Sequence, residues 1–100
     1  MQFSYRLFEQ GSDTLLAISD ADIVGKTIRG GELEVVVSKD FYSGKACGEN
    51  EAIAMAKKAT IVNAMGKVII NLLSEKGLVD KEMVLMIGDV PHAQLIAIRS

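Results

Sequence analysis

The sequence predicts an α+β fold, a two-layer sandwich in which one long helix, straight or bent, lies on one face of a mostly antiparallel sheet of about five strands. One long stretch has the periodicity of a helix, and several shorter stretches have the composition of strands. The helical stretches are few and are not interleaved one per strand, so a doubly wound fold is not expected. One hundred residues, 49% of them hydrophobic, indicate a single domain spanning residues 1–100.

The first half of the chain is expected to consist mainly of strands and turns. Apolar and polar residues alternate over residues 3–7, which predicts a half-buried strand. The turn composition of residues 10–13 joins it to a second strand at 14–19, so the two form a hairpin. Residues 20–25 predict a short helical turn that a capping Asp20 opens and a glycine closes. The segments that follow are a loop at 26–31, a strand at 32–38 and a polar loop at 39–48.

Residues 49–77 predict one continuous helix, around which the other elements would pack. Apolar residues recur along it at spacings of three, four and seven, with polar residues on the opposite side. Gly77 would end the helix in the left-handed conformation, with Leu78 as its apolar partner. Gly66, near the middle of this predicted helix, favours close packing of the helix against a strand with some bending of the helix. A sharper bend of the helix is the alternative. After the helix come a connection at 79–82 and strands at 83–87 and 94–98, separated by a loop at 88–92.

Charge and composition argue against several classes of protein. The net charge of −2 argues against broad attraction to nucleic acid or to an anionic membrane, although it leaves a local basic patch open. Cys47 is the only cysteine, so neither an internal disulfide nor a cysteine-based zinc site can form within one chain. No apolar run reaches the roughly 18 residues that a spanning helix needs, and residues 1–6 lack a signal region. We therefore expect a cytoplasmic protein without a membrane partner.

A first candidate site consists of residues in the predicted loops that could contact a ligand or RNA. Their basic side chains would contact phosphates, and an aromatic ring among them would stack on a base if the loops converge at one end of the sheet. The alternative is that the aromatic rings simply close the edge of the core. The five candidates are Lys26, Arg29, Lys39, Tyr42 and Lys45.

A second candidate site surrounds the only histidine of the chain. Pro91 fixes the backbone before His92, and the neighbouring polar residues Asp89 and Gln94 complete the site. The simpler interpretation is a turn in which His92 bonds to a backbone carbonyl. No metal site, cofactor or catalytic residue is predicted, because one histidine has no visible second ligand and an acid–base role would need a helper such as Asp89 or Tyr42.

Several motifs together resemble the archaeal domain-of-unknown-function family 424. They are Gly25-Lys26-Thr27 with Gly31-Glu32-Leu33, residues 40–44, residues 59–63, residues 77–80 and the run Gly88 to Gln94. The Val-Pro-His-Ala-Gln segment of the last run is the most specific part. The resemblance covers nearly the whole chain and implies a small cytoplasmic archaeal protein with a two-layer fold of helices and strands. It implies no activity.

Three functional hypotheses remain open at this point. The first is a binding module for RNA or a ribonucleoprotein, and the second is a protein-interaction or structural subunit that acts as a homo-oligomer. An enzyme that uses His92 is the least favoured. Consecutive apolar residues at 15–18, 83–87 and 95–98 place apolar side chains on both faces of the sheet, and one helix covers only one face. Either a second copy or another protein buries the other face, or the segments 20–25 and 39–48 fold over it.

Overall fold

The computed structural model describes residues 2–96 and confirms the α+β class. Its main sheet is mixed and six-stranded, in the order β5-β1-β2-β6-β8-β7, and β3 and β4 form a separate two-stranded hairpin. Three short helices complete this part of the chain. The strands are β1 Phe3–Gln10, β2 Asp13–Asp20, β3 Thr27–Gly30, β4 Leu33–Val36, β5 Lys45–Cys47, β6 Ile61–Met65, β7 Leu85–Ile87 and β8 Val90–Ile96. The helices are α1 Lys39–Tyr42, α2 Glu49–Lys58 and α3 Lys67–Glu75.

The prediction of one helix over residues 49–77 is wrong, because strand β6 divides it. Helix α2 ends at Lys58, and Ala59 is already extended. Strand β6 then pairs parallel with β2 and antiparallel with β8, so it lies in the centre of the sheet. Its β-branched residues Ile61 and Val62 suit a strand, and pairing on both sides outweighs the helical periodicity of the segment.

Other expected boundaries also differ from the structure. The strand expected at 83–87 begins only at Leu85, because residues 81–83 form a 3-10 turn. The loop expected at 26–31 contains strand β3, which pairs with β4 from Thr27↔Val36 to Gly30↔Leu33. The polar segment 39–48 contains α1 and β5. The expected loop at 88–92 shortens to a turn, since Val90 already pairs with Ile87. The strand expected at 94–98 is confirmed as far as Ile96, and its last two residues lie outside the described residues.

The sheet has an apolar cluster on each face, so the described part of the molecule has three layers instead of the two that were predicted. Helices α2 and α3 pack on one face against residues such as Leu16 and Val62. The hairpin β3–β4 and α1 pack on the other face, around Ala17, Met65 and Ile87. Residues of the 20–25 and 39–48 segments also pack there, among them Ile23, Val24 and Phe41. The second face is therefore partly covered by the chain itself.

Asp20 connects strand β2 to the start of helix α3. The side chain makes no capping bond to the following 3-10 turn at Ala21–Ile23, which it was expected to cap. Its carboxylate instead accepts hydrogen bonds from the backbone N–H groups of Val68, at 3.0 Å, and Ile69, at 2.8 Å. These are orphan donors in the first turn of α3, where negative charge is favourable.

Candidate functional site

A cavity of about 430 Å³ lies between the β3–β4 hairpin, helix α1 and the β6–β8–β7 part of the sheet. We call it the hairpin cavity. Its walls are almost entirely apolar, and the few polar groups come from Ser38, Tyr42 and His92. A volume of this size and an apolar lining with few polar groups are typical of ligand pockets, which occupy roughly 300–1,000 Å³. The principal wall residues are Val35, Val37, Phe41, Tyr42, Met65 and His92.

Tyr42 and His92 of the cavity wall both form hydrogen bonds with Asn63, and we call these three side chains the polar trio. The hydroxyl of Tyr42 donates to Oδ1 of Asn63. The same oxygen lies 3.0 Å from Nε2 of His92. Asn63 and His92 lie on adjacent strands, and the register Met65↔His92 places their side chains diagonally on the same face.

Helix α1 holds Tyr42 in place, although it is only four residues long. Ser38 caps the helix, because its hydroxyl accepts from the Phe41 backbone N–H at 3.3 Å. Two side chains of β1 bond to the backbone of α1: Ser4 donates to the Tyr42 carbonyl at 3.0 Å, and Arg6 donates to the Asp40 carbonyl at 2.8 Å. These bonds hold a short helix that would not form in isolation.

An aromatic wall completes the α1 side of the cavity. The rings of Phe8 and Phe41 stack with their centroids 5.5 Å apart. The ring of Phe41 meets Tyr42 edge-on at 4.8 Å. These are favourable aromatic geometries, and they fix the orientation of both rings that line the cavity.

Burial shifts the pKa values of the two titratable members of the polar trio, Tyr42 and His92. It raises the pKa of Tyr42 to about 12, so the phenol remains a hydrogen-bond donor. It lowers the pKa of His92 below its ordinary value of 6.5, so the imidazole is neutral at neutral pH. In these states the phenol can donate a hydrogen bond, and the imidazole can donate one and accept one.

The structure brings some of the predicted basic residues near the cavity and leaves others apart. The Lys39 side chain lies across Gly25, where a Cβ atom would stand 2.8 Å from Lys39 Cε, and Lys26 is the next residue. Arg29 lies at the other end of β3, with its Nε 3.4 Å from Oε2 of Glu34. Lys45 lies on edge strand β5, opposite Tyr5. Tyr42 is buried in the cavity wall and is not an exposed stacking surface.

The fold also places the residues of the second predicted site in different parts of the structure. His92 lines the cavity, and Gln94 lies exposed on the same face of β8. Pro91 points to the opposite face, and its carbonyl accepts from the Gly66 N–H at 2.9 Å. Asp89 lies in the β7–β8 turn, outside the hairpin cavity. His92 therefore joins Tyr42 of the first predicted site, and its partner is the Asn63 side chain instead of a backbone carbonyl.

Asn63, which links the trio, is not among the site residues predicted from the sequence. The prediction placed it on the polar side of a helix. A signal was present, since Asn63 is the only polar residue in the run Ile61 to Met65, and a single polar residue within a buried strand needs a hydrogen-bonding partner. Its partners come from distant parts of the chain, so only the fold reveals them.

Two other features of the described residues bear on chemistry. No three side chains of His, Cys, Asp or Glu gather into a group that could hold a metal ion within residues 2–96. Cys47 is buried among the residues on the α2–α3 face, and burial together with Glu51 raises the pKa of its thiol. A thiol with a raised pKa is a poor nucleophile.

Within residues 2–96, no helix has the length and apolar character that crossing a membrane requires.

Comparison with known proteins places the chain in a family. No curated protein matches it. Its structure is similar to that of an uncharacterized conserved protein from Methanopyrus kandleri, with a TM-score of 0.81 and 23% sequence identity over 98% of this chain and 94% of that one. At this identity the likeness shows the fold alone. The model of the family described as "Protein of unknown function (DUF424)" matches residues 8–98. The chain therefore belongs to the DUF424 family.

Proposed function

We propose that the protein is a binding module for single-stranded RNA, in which the hairpin cavity receives an unpaired base. The observation that carries the proposal is the polar trio set in the wall of an otherwise apolar cavity of about 430 Å³. An unpaired base is a planar group with apolar faces and a hydrogen-bonding edge. Proteins recognise such bases by stacking and by bonds to that edge.

The residues around the cavity support this class of ligand. Phe41 presents an aromatic ring that Phe8 and Tyr42 hold in place, and a base stacks well on such a ring. Lys26 and Lys39 adjoin residues that line the cavity, because the Lys26 carbonyl accepts from the Val37 N–H and Lys39 follows Ser38 in the chain, and both would supply positive charge for adjacent phosphates. Because the net charge of the chain is −2, phosphates would be attracted to the site of these two lysines and not to the protein surface in general.

The same geometry disfavours catalysis as the role of this site. Tyr42 holds its proton until the pH reaches about 12, and His92 has a lowered pKa and a neutral ring. Within residues 2–96 neither group hydrogen-bonds to a carboxylate that would activate it, because the atom between them is the amide oxygen of Asn63. An amide oxygen only accepts hydrogen bonds and moves no proton.

Fluorescence anisotropy with a short labelled single-stranded RNA tests the proposal. We expect binding that weakens with salt by a log–log slope of roughly −1.4 for two phosphate contacts. The double variant Lys26→Glu/Lys39→Glu should abolish most of this binding. The charge-matched control is Lys67→Glu/Lys76→Glu, which alters exposed residues of α3 and its end, on the other face of the sheet. No binding at micromolar protein, or equal loss in both variants, contradicts the proposal.

A second candidate function is protein interaction through the mouth of the cavity. Leu33, Val36 and Leu85 line the cavity and yet are 53–58% exposed. A patch of large apolar side chains around a concave site favours contact with another protein surface, and a second copy of this chain is the simplest partner.

A further inference from the structure

We infer that Nδ1 of His92 is the acceptor that selects the ligand of the hairpin cavity, which therefore takes planar groups that present an N–H donor. This inference rests on the proposed function, because it concerns the same cavity. It adds the chemical class of the group that is bound and the single atom that distinguishes it from close analogues.

The hydrogen bonds of the polar trio determine which nitrogen of His92 carries the proton. Oδ1 of Asn63 accepts from the Tyr42 hydroxyl and lies 3.0 Å from Nε2 of His92. Because an amide oxygen cannot donate, a hydrogen bond at this distance requires the proton to be on Nε2. In a neutral imidazole the other nitrogen, Nδ1, then holds a lone pair and can only accept.

This lone pair is not buried, and the His92 side chain that carries it lines the cavity. Within residues 2–96 Nδ1 makes no hydrogen bond, and the one fully buried side-chain polar atom left without a partner is Oγ of Ser74. Nδ1 is therefore not sealed inside the protein. The cross-strand neighbours of His92 are Met65 and Leu85, which line the same cavity and offer no side-chain donor.

A single acceptor in an apolar wall discriminates strongly between similar ligands. A ligand with an N–H at this point completes the hydrogen bond. A ligand of the same shape that lacks the N–H displaces water from Nδ1 without forming a hydrogen bond in its place. The unpaired acceptor then costs free energy, and such a ligand binds more weakly. Uncharged heteroaromatic rings with a ring N–H or an exocyclic amine fit the class, and nucleobases belong to it.

Two fragments of nearly equal shape test the inference on the full chain. Indole has a ring N–H, and benzofuran has an oxygen in its place. In titrations followed by two-dimensional NMR, we expect indole to bind at the cavity residues at least about tenfold more tightly than benzofuran. The preference should disappear in His92→Phe and persist in Gln94→Leu, which changes an exposed neighbour on the same face of β8.

The outcomes separate this inference from the proposed function. Equal affinity of the two fragments at the cavity overturns the role of Nδ1 but leaves a binding cavity. No shift at the cavity residues with either fragment overturns both. Nitrogen-15 NMR of the His92 ring in the unaltered protein gives an independent check, should His92→Phe fail to fold. A proton on Nε2 supports the inference, and a proton on Nδ1 overturns it.

Discussion

The hydroxyl of Tyr42 donates a hydrogen bond to the side-chain oxygen of Asn63, 21 residues further along the chain. This bond joins the short helix α1 to the central strand β6. It closes one side of the hairpin cavity and holds in place the oxygen that orients His92. The stability of the layer formed by α1 and the hairpin should therefore depend on it.

Removal of this hydroxyl should destabilise the protein measurably. We expect Tyr42→Phe to lower the free energy of unfolding by about 1 kcal/mol, because one partly buried hydrogen bond is lost while Asn63 keeps His92 as a partner. Urea denaturation measures the change. Tyr5→Phe is the matched control, since Tyr5 is half-buried on the other face and its hydroxyl makes no hydrogen bond within residues 2–96. Equal effects of the two substitutions would contradict this role of Tyr42.

Alkaline pH should weaken the folded state through the same residue. The pKa of Tyr42 is about 12 in the folded protein and about 10.0 when exposed. Between these values the folded state holds more protons than the unfolded state, so stability falls as pH rises. The contribution is complete below pH 10 and is lost as the pH approaches 12. The measurement is the difference in stability between the unaltered protein and Tyr42→Phe, which isolates the contribution of this residue, and parallel pH curves would contradict the prediction.

Gly66 should tolerate no side chain. Its φ of 127° is open to glycine, and an added Cβ would stand 2.4 Å from Cγ of Asp20. We expect Gly66→Ala to cost about 3 kcal/mol, from backbone strain and from the clash with Asp20, which bonds to the first turn of α3. Gly77→Ala is the control, because Gly77 also has a positive φ, of 71°, but nothing lies within 4 Å. It should cost about 1 kcal/mol.

Thermal or urea denaturation of the two glycine variants gives the comparison directly. A similar loss in both would mean that backbone conformation alone explains Gly66, and that Asp20 can move aside. A much larger loss in Gly66→Ala would show that the packing between the end of β2 and the start of α3 is rigid.

The apolar residues at the mouth of the cavity should promote self-association. Sedimentation equilibrium between about 1 and 100 µM covers the range of ordinary specific affinities. We expect a dimer within this range, and Leu85→Lys should shift it to monomer because Leu85 is 56% exposed at the mouth. Val68→Lys is the control, since Val68 is 51% exposed on helix α3. A strictly monomeric protein would rule out the dimer and leave this surface to another partner.

The sequence was sufficient to predict elements whose pairing lies within one short segment of the chain. The β1–β2 hairpin was predicted because alternation and a glycine turn occur within one short segment, and the pairing Gln10↔Asp13 follows from that turn. The strand β6 was not predicted, because its apolar residues also fit a helical stripe. What decides between the two periods is pairing with β2, about 46 residues earlier, and the hydrogen bond of Thr60 to Thr14 illustrates that distance.

For the candidate site as well, some features were predicted from the sequence and others depended on the fold. Tyr42 and His92 were singled out by residue type alone, as an aromatic ring among basic residues and as the only histidine. Their proximity was not predicted, because it depends on Asn63 lying in a strand beside β8. Lys45 and Arg29 were grouped with Lys26 by charge, and the fold places them on different edges.

The most direct test of a binding cavity under the hairpin is to map a ligand on the protein. Isotope-labelled protein would be titrated with a single-stranded RNA of roughly eight nucleotides, within the usual range of single-strand site sizes, and followed by two-dimensional NMR. We predict that the largest shift changes occur at Val37, Phe41, Met65 and His92. Changes confined to α2 and α3, on the opposite face of the sheet, or no change at all, would contradict the account.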